Sequence, residues 1–381
     1  MAWCGVLVPV AMWAVGCDSD GGGGQPVADA ADTSTPSDTS GGGDGAVVDE
    51  HLQLLEATGS DPVYLSLATG EGVTEDAAWH VAYTKYLGFA LNGGVSGDGN
   101  VEGCVAKTYP GLYDAEGVPD KEAFEALSAE STAADFDAID GSECSDFVAD
   151  SIAPYIAMED WLAADPNVSG PAFTPVEGSS NGFIIRSAEQ HGGDFSYARI
   201  RVSEIEFVPN TTRKLRFTTE LWGGEAFGEA APSEWIDFSS GPAYWDLETN
   251  AAVTVDAAWE LRVEAVGMSW DITVNSGVSG PGQAGVGLVV LGSGAAADVS
   301  DPTDPSEVYR YFSDSVDGAL SKPGGFGPLE YNVLGVHDMS PNYTHYLIRD
   351  ADHTYKLQVL SNYGVNLDEP SGHLVFRVEQ L

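Results

Sequence analysis

The chain has 381 residues, with 15 Lys and Arg against 59 Asp and Glu, so its formal net charge at pH 7 is -44. A surface this acidic repels phosphate backbones and anionic lipid headgroups, which argues against nucleic-acid binding and against electrostatic docking on a membrane. Hydrophobic residues make up 43% of the chain, enough apolar surface for folded cores, which excludes a wholly disordered protein.

The first 17 residues form an apolar segment that is too short to span a bilayer and ends in Ala14-Val15-Gly16-Cys17. A signal peptidase needs small side chains before the scissile bond, and the thiol of a cysteine at this place accepts a diacylglycerol. The segment therefore predicts a lipoprotein signal peptide over residues 1–17 with Cys17 as the lipidation site. The alternative is an ordinary buried N-terminal segment.

Residues 18–49 consist mainly of Gly, Ser, Thr, Asp, Ala and Pro and contain no aromatic side chain. This composition predicts a disordered tether, because it offers too little apolar surface to form a core. A coil of about 30 residues has a root-mean-square reach of roughly 30 Å. The tether would hold a folded body clear of the membrane that carries the lipid.

Four cysteines occur in the sequence. Cys4 would leave with the signal peptide and Cys17 would be acylated, so Cys104 and Cys144 remain as one pair. Because an exported protein meets an oxidising compartment, we predict a disulfide between these two. Two buried thiols are the alternative, and a zinc site is disfavoured because neither cysteine has a Cys or His at ligand spacing.

The chain contains an internal repeat. VYLSLATGEGVTEDAAW, which ends at Trp79, recurs as AYWDLETNAAVTVDAAW, which ends at Trp259, 180 residues later. NGGVSG from Asn92 recurs as NSGVSG from Asn275, 183 residues later. The Gly and Asn residues of these turns suit a chain reversal with positive φ.

A third recurrence lies near the end of each copy, where FIIRSA from Phe183 matches YLIRDA from Tyr346. The Gly, Ala and Pro stretch GGEAFGEAAPSE separates the copies. The repeat therefore predicts two related domains, residues 50–225 and residues 232–381.

Within each copy the apolar pattern is mostly that of strands, in short runs bounded by Gly, Pro, Asn and Asp. The clearest runs are WHVAYTKYLGFAL, WELRVEAVGMSWDITV, YARIRVSEIEFV, RKLRFTTELW, TYKLQVLSNYGV and HLVFRVEQL. Only residues 121–130 and 157–164 have a helical pattern. The predicted fold class is all-β, with two tandem, mainly antiparallel β domains and minor helix.

These pieces, in this order and behind a lipoprotein leader, resemble the HmuY family of haem-binding bacterial surface lipoproteins. The features that carry the resemblance are the DAAW opening, the NGGVSG or NSGVSG turn, the segment VHDMSPNYTHYLIRDADHTYKLQVLSNYG and the closing strand SGHLVFRVEQL. They cover most of the second copy and a more diverged first copy. The resemblance implies an all-β fold, a lipid anchor in the bacterial cell envelope, expected in the outer membrane, and capture of haem by two axial side chains.

Haem iron held in this way needs two His or Met donors on opposite faces of the ring. The segment that most resembles the family contains His337, Met339 and His345, which are therefore the candidate axial ligands. The equivalent stretch of the first copy, DPNVSGPAFTP, has neither His nor Met. Only the second copy is expected to bind haem through such residues.

The other histidines are weaker candidates. His51 lies at the end of the tether, and His80 has Glu260 as its counterpart in the second copy. His191 and His353 lie in two equivalent turns, where an exposed polar role is expected. The high negative charge would also repel the haem propionates.

Two acidic groups could hold calcium in loops: Asp98 with Glu102, and the DGSECSD run from Asp140 to Asp146. Neither has the spacing of an EF-hand, so solvated turns are the favoured alternative. Apart from haem iron, the sequence predicts no metal.

No GxSxG, HExxH, P-loop or CxxC motif occurs, so the sequence predicts a protein that is not an enzyme. Two functions remain, ahead of a distant third, a hydrolase that acts on extracellular polymer. The first is an exported, lipid-anchored protein that binds haem or another small ligand through the second copy. The second is a cofactor-free structural or interaction module of the envelope, with protein partners that the sequence does not identify.

Overall fold

The computed structural model describes residues 51–381, except Ser60, Tyr86, Glu116, Pro166, residues 168–171 and Met268. The predicted signal peptide, the tether and Cys17 lie outside the described residues. No helix in the described part of the chain has the length and apolar character needed to cross a membrane.

The regular secondary structure of the described residues is mostly antiparallel strand, which confirms the predicted all-β class. In the first sequence copy the strands are β1 (Leu52–Glu56), β2 (Val63–Ser66), β3 (Glu71–Val73), β4 (Val81–Thr84), β5 (Gly88–Leu91), β6 (Glu102–Lys107), β7 (Ser151–Ala153), β8 (Leu162–Ala164), β9 (Phe173–Pro175), β10 (Phe183–His191), β11 (Asp194–Val208) and β12 (Thr212–Leu221).

The remaining strands belong to the linking stretch and the second copy. They are β13 (Ala231–Pro232), β14 (Ile236–Asp237), β15 (Ala243–Asp246), β16 (Ala251–Val253), β17 (Leu261–Val266), β18 (Ser269–Val274), β19 (Gly285–Val289), β20 (Val308–Phe312), β21 (Ser315–Asp317), β22 (Leu329–Tyr331), β23 (Met339–Pro341), β24 (His345–Arg349), β25 (Thr354–Ser361) and β26 (His373–Gln380).

Three short α-helices occur among the described residues: α1 (Lys121–Glu125), α2 (Ala133–Ala138) and α3 (Met158–Trp161). Helix α1 is shorter than the predicted 121–130, because the Ser128 and Ser131 side chains each accept the other's backbone N–H and compete with the helix. Helix α3 is shorter than the predicted 157–164, because the chain after Trp161 becomes β8 and pairs with β9.

Four larger sheets carry the fold. A five-stranded sheet has the order β1-β26-β25-β24-β6, and a seven-stranded sheet has the order β13-β12-β11-β10-β19-β20, with β14 also paired to β12. Two four-stranded sheets have the orders β3-β2-β4-β5 and β16-β15-β17-β18. The last two are equivalent strand by strand, as the repeat predicts.

The three strands at the end of each copy do not join the sheet of their own copy. Strands β10 to β12 join β19 and β14 of the second copy, whereas β24 to β26 join β6 and β1 of the first copy. The registers correspond, because Ile185 lies opposite Val286 in one sheet and Ile348 lies opposite Gly103 in the other. The two copies have therefore exchanged equivalent three-stranded segments within one chain.

The packing units consequently differ from the two sequence copies. We call residues 51–153 together with 315–381 the split unit, and residues 156–312 the continuous unit. The split unit has a core that includes Leu65, Leu91, Leu357 and Phe376. The continuous unit has its own core, in which both copies also contribute side chains.

The two connections between the units meet each other. Strand β7, where the chain leaves the split unit, pairs antiparallel with β21, where the chain returns, and Ile152 lies opposite Val316. A buried aspartate precedes each strand, and Asp150 and Asp314 accept the backbone N–H groups of Leu91 and Val274. A local two-fold axis therefore relates β7 and Asp150 to β21 and Asp314, as in a symmetric dimer interface.

Candidate functional site

His337, the first of the predicted haem ligands, lies in the turn between β22 and β23. Its backbone has φ 64° and its side chain is exposed. The Nδ1 atom lies 3.1 Å from the Tyr331 hydroxyl, and the backbone N–H donates to Asn332 Oδ1. A turn of this kind presents the imidazole to solvent.

His345 is at the opposite extreme of exposure. It begins β24, its residue exposure is 0%, and its Nε2 atom lies 2.8 Å from the Tyr109 hydroxyl. The rings of Tyr109 and Phe136 pack beside it. Burial lowers the pKa of His345 from 6.5 to about 4, so the imidazole is neutral at pH 7.

Met339 begins β23, which pairs with β22 in a separate two-stranded sheet, whereas His345 begins β24 of the five-stranded sheet. Met339 packs against the split-unit core, which contains Tyr346 and Ile348. Since side chains alternate along a strand, His345 and Leu347 point the other way, and Leu347 packs with Ile139 and Cys104. The three predicted donors are therefore not brought together at one open site, and they do not fit two-sided ligation of a haem in this conformation.

The repeated motifs have structural roles. Asn92 donates to the Trp79 carbonyl at 3.0 Å and accepts the Gly99 N–H at 2.9 Å. Asn275 makes the equivalent bonds, at 2.9 and 3.0 Å, to the second copy's tryptophan and glycine. The NGGVSG and NSGVSG segments are thus held to the DAAW segments by one asparagine each.

A further equivalent pair links each DAAW segment to the exchanged strands. His80 accepts the Leu67 N–H at Nδ1, and its Nε2 lies 3.0 Å from Asp350 Oδ2. Hydrogen bonds from His80 and from backbone N–H groups outweigh burial and lower the pKa of Asp350. The sequence did not predict this role of His80, although the offset of the repeat places His80 and Glu260 at corresponding positions.

Glu260 occupies the position of His80 in the continuous unit. Its two carboxylate oxygens accept the N–H groups of Leu247 and Ala188, at 2.6 and 3.0 Å. Burial raises the pKa of Glu260 from 4.5 to about 7. Oxygen atoms of Asp246, Glu248 and Glu260 lie within 4.8 Å of one another, but the Glu260 oxygens already serve as acceptors that join strands.

The predicted disulfide between Cys104 and Cys144 is confirmed, with a Cα–Cα distance of 6.4 Å. It joins β6 to the loop after α2. In that loop the acidic run forms local turns, because Asp140 accepts the Ser142 N–H and Glu143 accepts the Gly141 N–H.

In the other predicted acidic pair, Asp98 with Glu102, Glu102 is engaged within the protein. Glu102 accepts from Arg349 at 2.5 Å, across β6 and β24.

A groove of about 910 Å³ opens at one end of the split unit, and we call it the Leu87 groove. Its apolar walls come from the β5 hairpin, from residues 117–119, from β21 and from residues 319–327. The apolar lining residues are Leu87, Phe89, Val118, Pro119, Ala153, Val316, Leu320, Pro323 and Phe326. No His or Met is among the described residues that line it.

The charged residues of the Leu87 groove are Asp317, Lys322 and Glu330. Lys322 pairs with Asp317, with a distance of 3.0 Å between Nζ and Oδ1. Glu330 is 8% exposed, and its Oε2 accepts the Gly325 N–H at 2.8 Å and the Tyr113 hydroxyl at 3.3 Å. A buried carboxylate thus borders a groove whose walls are mainly apolar.

The groove could not be predicted from the sequence, because its walls combine residues 87–119 with residues 315–330. These segments lie far apart in the chain and share no motif. Comparisons with protein-family models, with curated proteins and with solved structures give no match for this chain. The function proposed below rests on the geometry of this chain.

Proposed function

We propose that the protein is an exported, lipid-anchored binding protein of the cell envelope that holds a small, largely apolar ligand in the Leu87 groove. The groove is the observation that carries the proposal. Its volume of about 910 Å³ is within the usual size of a small-molecule site, and such sites have apolar walls with few polar groups. The Cys104–Cys144 disulfide supports export, because disulfides persist in oxidising compartments.

Binding is tested with N-phenyl-1-naphthylamine, a neutral dye that becomes fluorescent in apolar surroundings. We expect a saturable rise in fluorescence with the purified protein. Leu87→Trp should weaken binding at least ten-fold. Leu87 is 75% exposed at the groove, and the indole ring of a tryptophan at this position would fill the space that the dye occupies. A substitution at this exposed position should leave the fold intact.

The matched control is Val266→Trp, which adds the same ring to the equivalent hairpin of the continuous unit, where Val266 is 52% exposed. This variant should bind the dye as the unmodified protein does. Equal affinities for the unmodified protein and for Leu87→Trp would remove the groove as the binding site. The function would then move to the cofactor-free envelope module, which the structural roles of the repeated motifs favour.

The haem prediction is tested on the same protein by absorbance. We expect no saturable low-spin spectrum, because His337 and His345 differ completely in exposure and lie apart from the groove. A low-spin spectrum that disappears in His337→Ala would replace the present proposal with haem capture.

The lipid anchor is tested through Cys17→Ala. The variant should leave the membrane fraction and become soluble, because it lacks the thiol that accepts the lipid. Retention in the membrane fraction would contradict anchoring through Cys17.

A further inference from the structure

In the continuous unit, the position equivalent to the Leu87 groove is filled by side chains. The offset of the repeat pairs Leu87 with Trp270 and Phe89 with Ile272. Trp270 is 4% exposed, and its ring centroid lies 5.0 to 5.5 Å from the rings of Phe173, Phe207 and Phe238. An aromatic cluster therefore closes this end of the continuous unit.

The covering segment differs between the units in the same way. The continuous unit places Met158 over the start of β18, with its Sδ 3.4 Å from the Trp270 backbone nitrogen. The equivalent segment of the split unit begins with Lys322 and continues into glycines 324, 325 and 327. Among the described residues, the split unit thus has apolar walls and a covering loop at this position, with Leu87 in place of the Trp270 ring.

Glu330 gives the groove a charge preference. Only its Oε2 atom has a hydrogen bond among the described residues, and its Oε1 atom borders the groove beneath Gly325. The described residues provide no cationic side chain in an ion pair with Glu330, since the nearby Lys322 pairs with Asp317. A cationic group on a ligand would supply that partner.

The field of the whole molecule acts in the same direction. With a formal net charge of -44, the protein attracts cations to its clefts and repels anions. The aromatic walls Phe89 and Phe326 suit the ring of a ligand and also tolerate a neighbouring ammonium group.

We propose that the Leu87 groove binds a small aromatic ammonium compound, with the ring between Leu87, Phe89 and Phe326 and the ammonium group donating to Glu330. This inference rests on the proposed function, since it names the class of ligand for the same groove. Both the ring and the charge are specified by the chain: the ring by the filled groove of the continuous unit, and the charge by the buried carboxylate.

The test uses three probes of one shape: phenethylamine, phenethyl alcohol and 3-phenylpropionate. Their binding to the purified protein is measured by saturation-transfer NMR and competition with the naphthylamine dye. The amine should bind at least ten-fold more tightly than the alcohol, and the carboxylate more weakly than either. This series needs no variant and so does not depend on the folding of one.

Glu330→Gln keeps the shape of the side chain and removes its charge. It should bring the affinity for the amine down to that for the alcohol, while the alcohol binds as before. Glu206→Gln removes the same charge from an exposed position on β11 of the continuous unit and should leave the preference intact. Each variant changes the formal net charge only from -44 to -43, so a preference that persists in Glu330→Gln would assign it to overall charge and overturn the role of Glu330.

The outcomes separate the two proposals. Equal affinities for amine and alcohol, both abolished by Leu87→Trp, would overturn the ammonium inference and support the apolar groove. No binding of the dye or of any probe would overturn both.

Discussion

Asn92 and Asn275 each connect a tryptophan carbonyl to a glycine N–H seven residues further along the chain. Both side chains are almost fully buried. Replacing either with Ala leaves a buried carbonyl without a partner and removes the acceptor of a less buried glycine N–H, so each change should lower the free energy of unfolding by about 1 to 3 kcal/mol. Chemical denaturation measures this directly.

Asn92→Asp is the graded control for this prediction. The aspartate keeps the acceptor for Gly99 but loses the donor to Trp79. Its loss of unfolding free energy should therefore come from the lost donor and from burial of a charge. A loss of unfolding free energy below about 0.5 kcal/mol for Asn92→Ala and Asn275→Ala would show that water can replace the hydrogen bonds of these asparagines.

Glu260 predicts a pH dependence of stability. Its pKa is raised in the folded protein from 4.5 to about 7, so the folded state binds the proton more tightly than the unfolded state. Stability is therefore highest below pH 4.5 for this group and is lost as the pH rises through 7, by about 3 kcal/mol in all. Glu260→Gln should show a smaller decline of unfolding free energy between pH 5 and 8.

Asp150 and His345 also titrate in this range, and both are present in the unmodified protein and in Glu260→Gln. The pKa of Asp150 is raised to about 6, which gives the same sign, and that of His345 is lowered to about 4, which gives the opposite sign below pH 6.5. The difference between the unmodified protein and Glu260→Gln isolates Glu260. Parallel pH profiles would contradict the prediction.

At the residue scale, the sequence predicted the disulfide because only two cysteines remained for it. It could not predict the fate of His337, Met339 and His345. They are close along the chain, but a turn with positive φ exposes His337. Met339 lies in a separate two-stranded sheet and packs against the split-unit core, whereas alternation along β24 turns His345 away from that core. Proximity in sequence does not place three side chains on one face.

At the scale of elements, the disulfide links β6 to the loop after α2 across 40 residues of chain. A loop of this length corresponds to about 4 kcal/mol in the chain-entropy estimate. Replacing both cysteines with Ala should lower the free energy of unfolding of the split unit by about 2 to 4 kcal/mol, measured by denaturation followed through hydrogen exchange.

The continuous unit provides the internal control for that change. Amides of β10 to β12 should keep their protection when the two cysteines are replaced, because they belong to a separate core. Equal loss of protection in both units would show that the disulfide stabilises the molecule as one cooperative body.

The strands themselves were predictable, because their alternation and their turn residues are local signals. Their partners were not. Strands β10 to β12 have two nearly equivalent edges to choose from, β6 in their own copy and β19 in the other, and a repeat in sequence makes those edges alike. The choice depends on connections such as β7 and β21, which no local pattern reveals.

At the scale of the whole molecule, the exchange predicts how the chain responds to a cut between its copies. A protease site inserted after Gly224, in the exposed stretch between β12 and β13, should give two fragments that stay together in size-exclusion chromatography. Each core contains side chains from both fragments, so separating them requires unfolding.

Separated by denaturant, each fragment should fail to fold alone and should fold again when mixed with the other, as judged by circular dichroism. A fragment of residues 50–225 that folds by itself would show that its last three strands can return to the sheet of their own copy. That result would contradict the exchange.

The pairing of β1 with β26 brings the two ends of the described chain side by side, Leu52 opposite Arg377. During synthesis the N-terminal strand β1 emerges first, yet the sheet that contains it is completed only by the last strands of the chain. The continuous unit has all its strands once residue 312 has emerged. The order of assembly therefore differs from the order of emergence. The middle of the chain completes its sheets first, and β1 stays without its partner β26 until the end of the chain emerges, which leaves an unpaired strand edge exposed to aggregation until then.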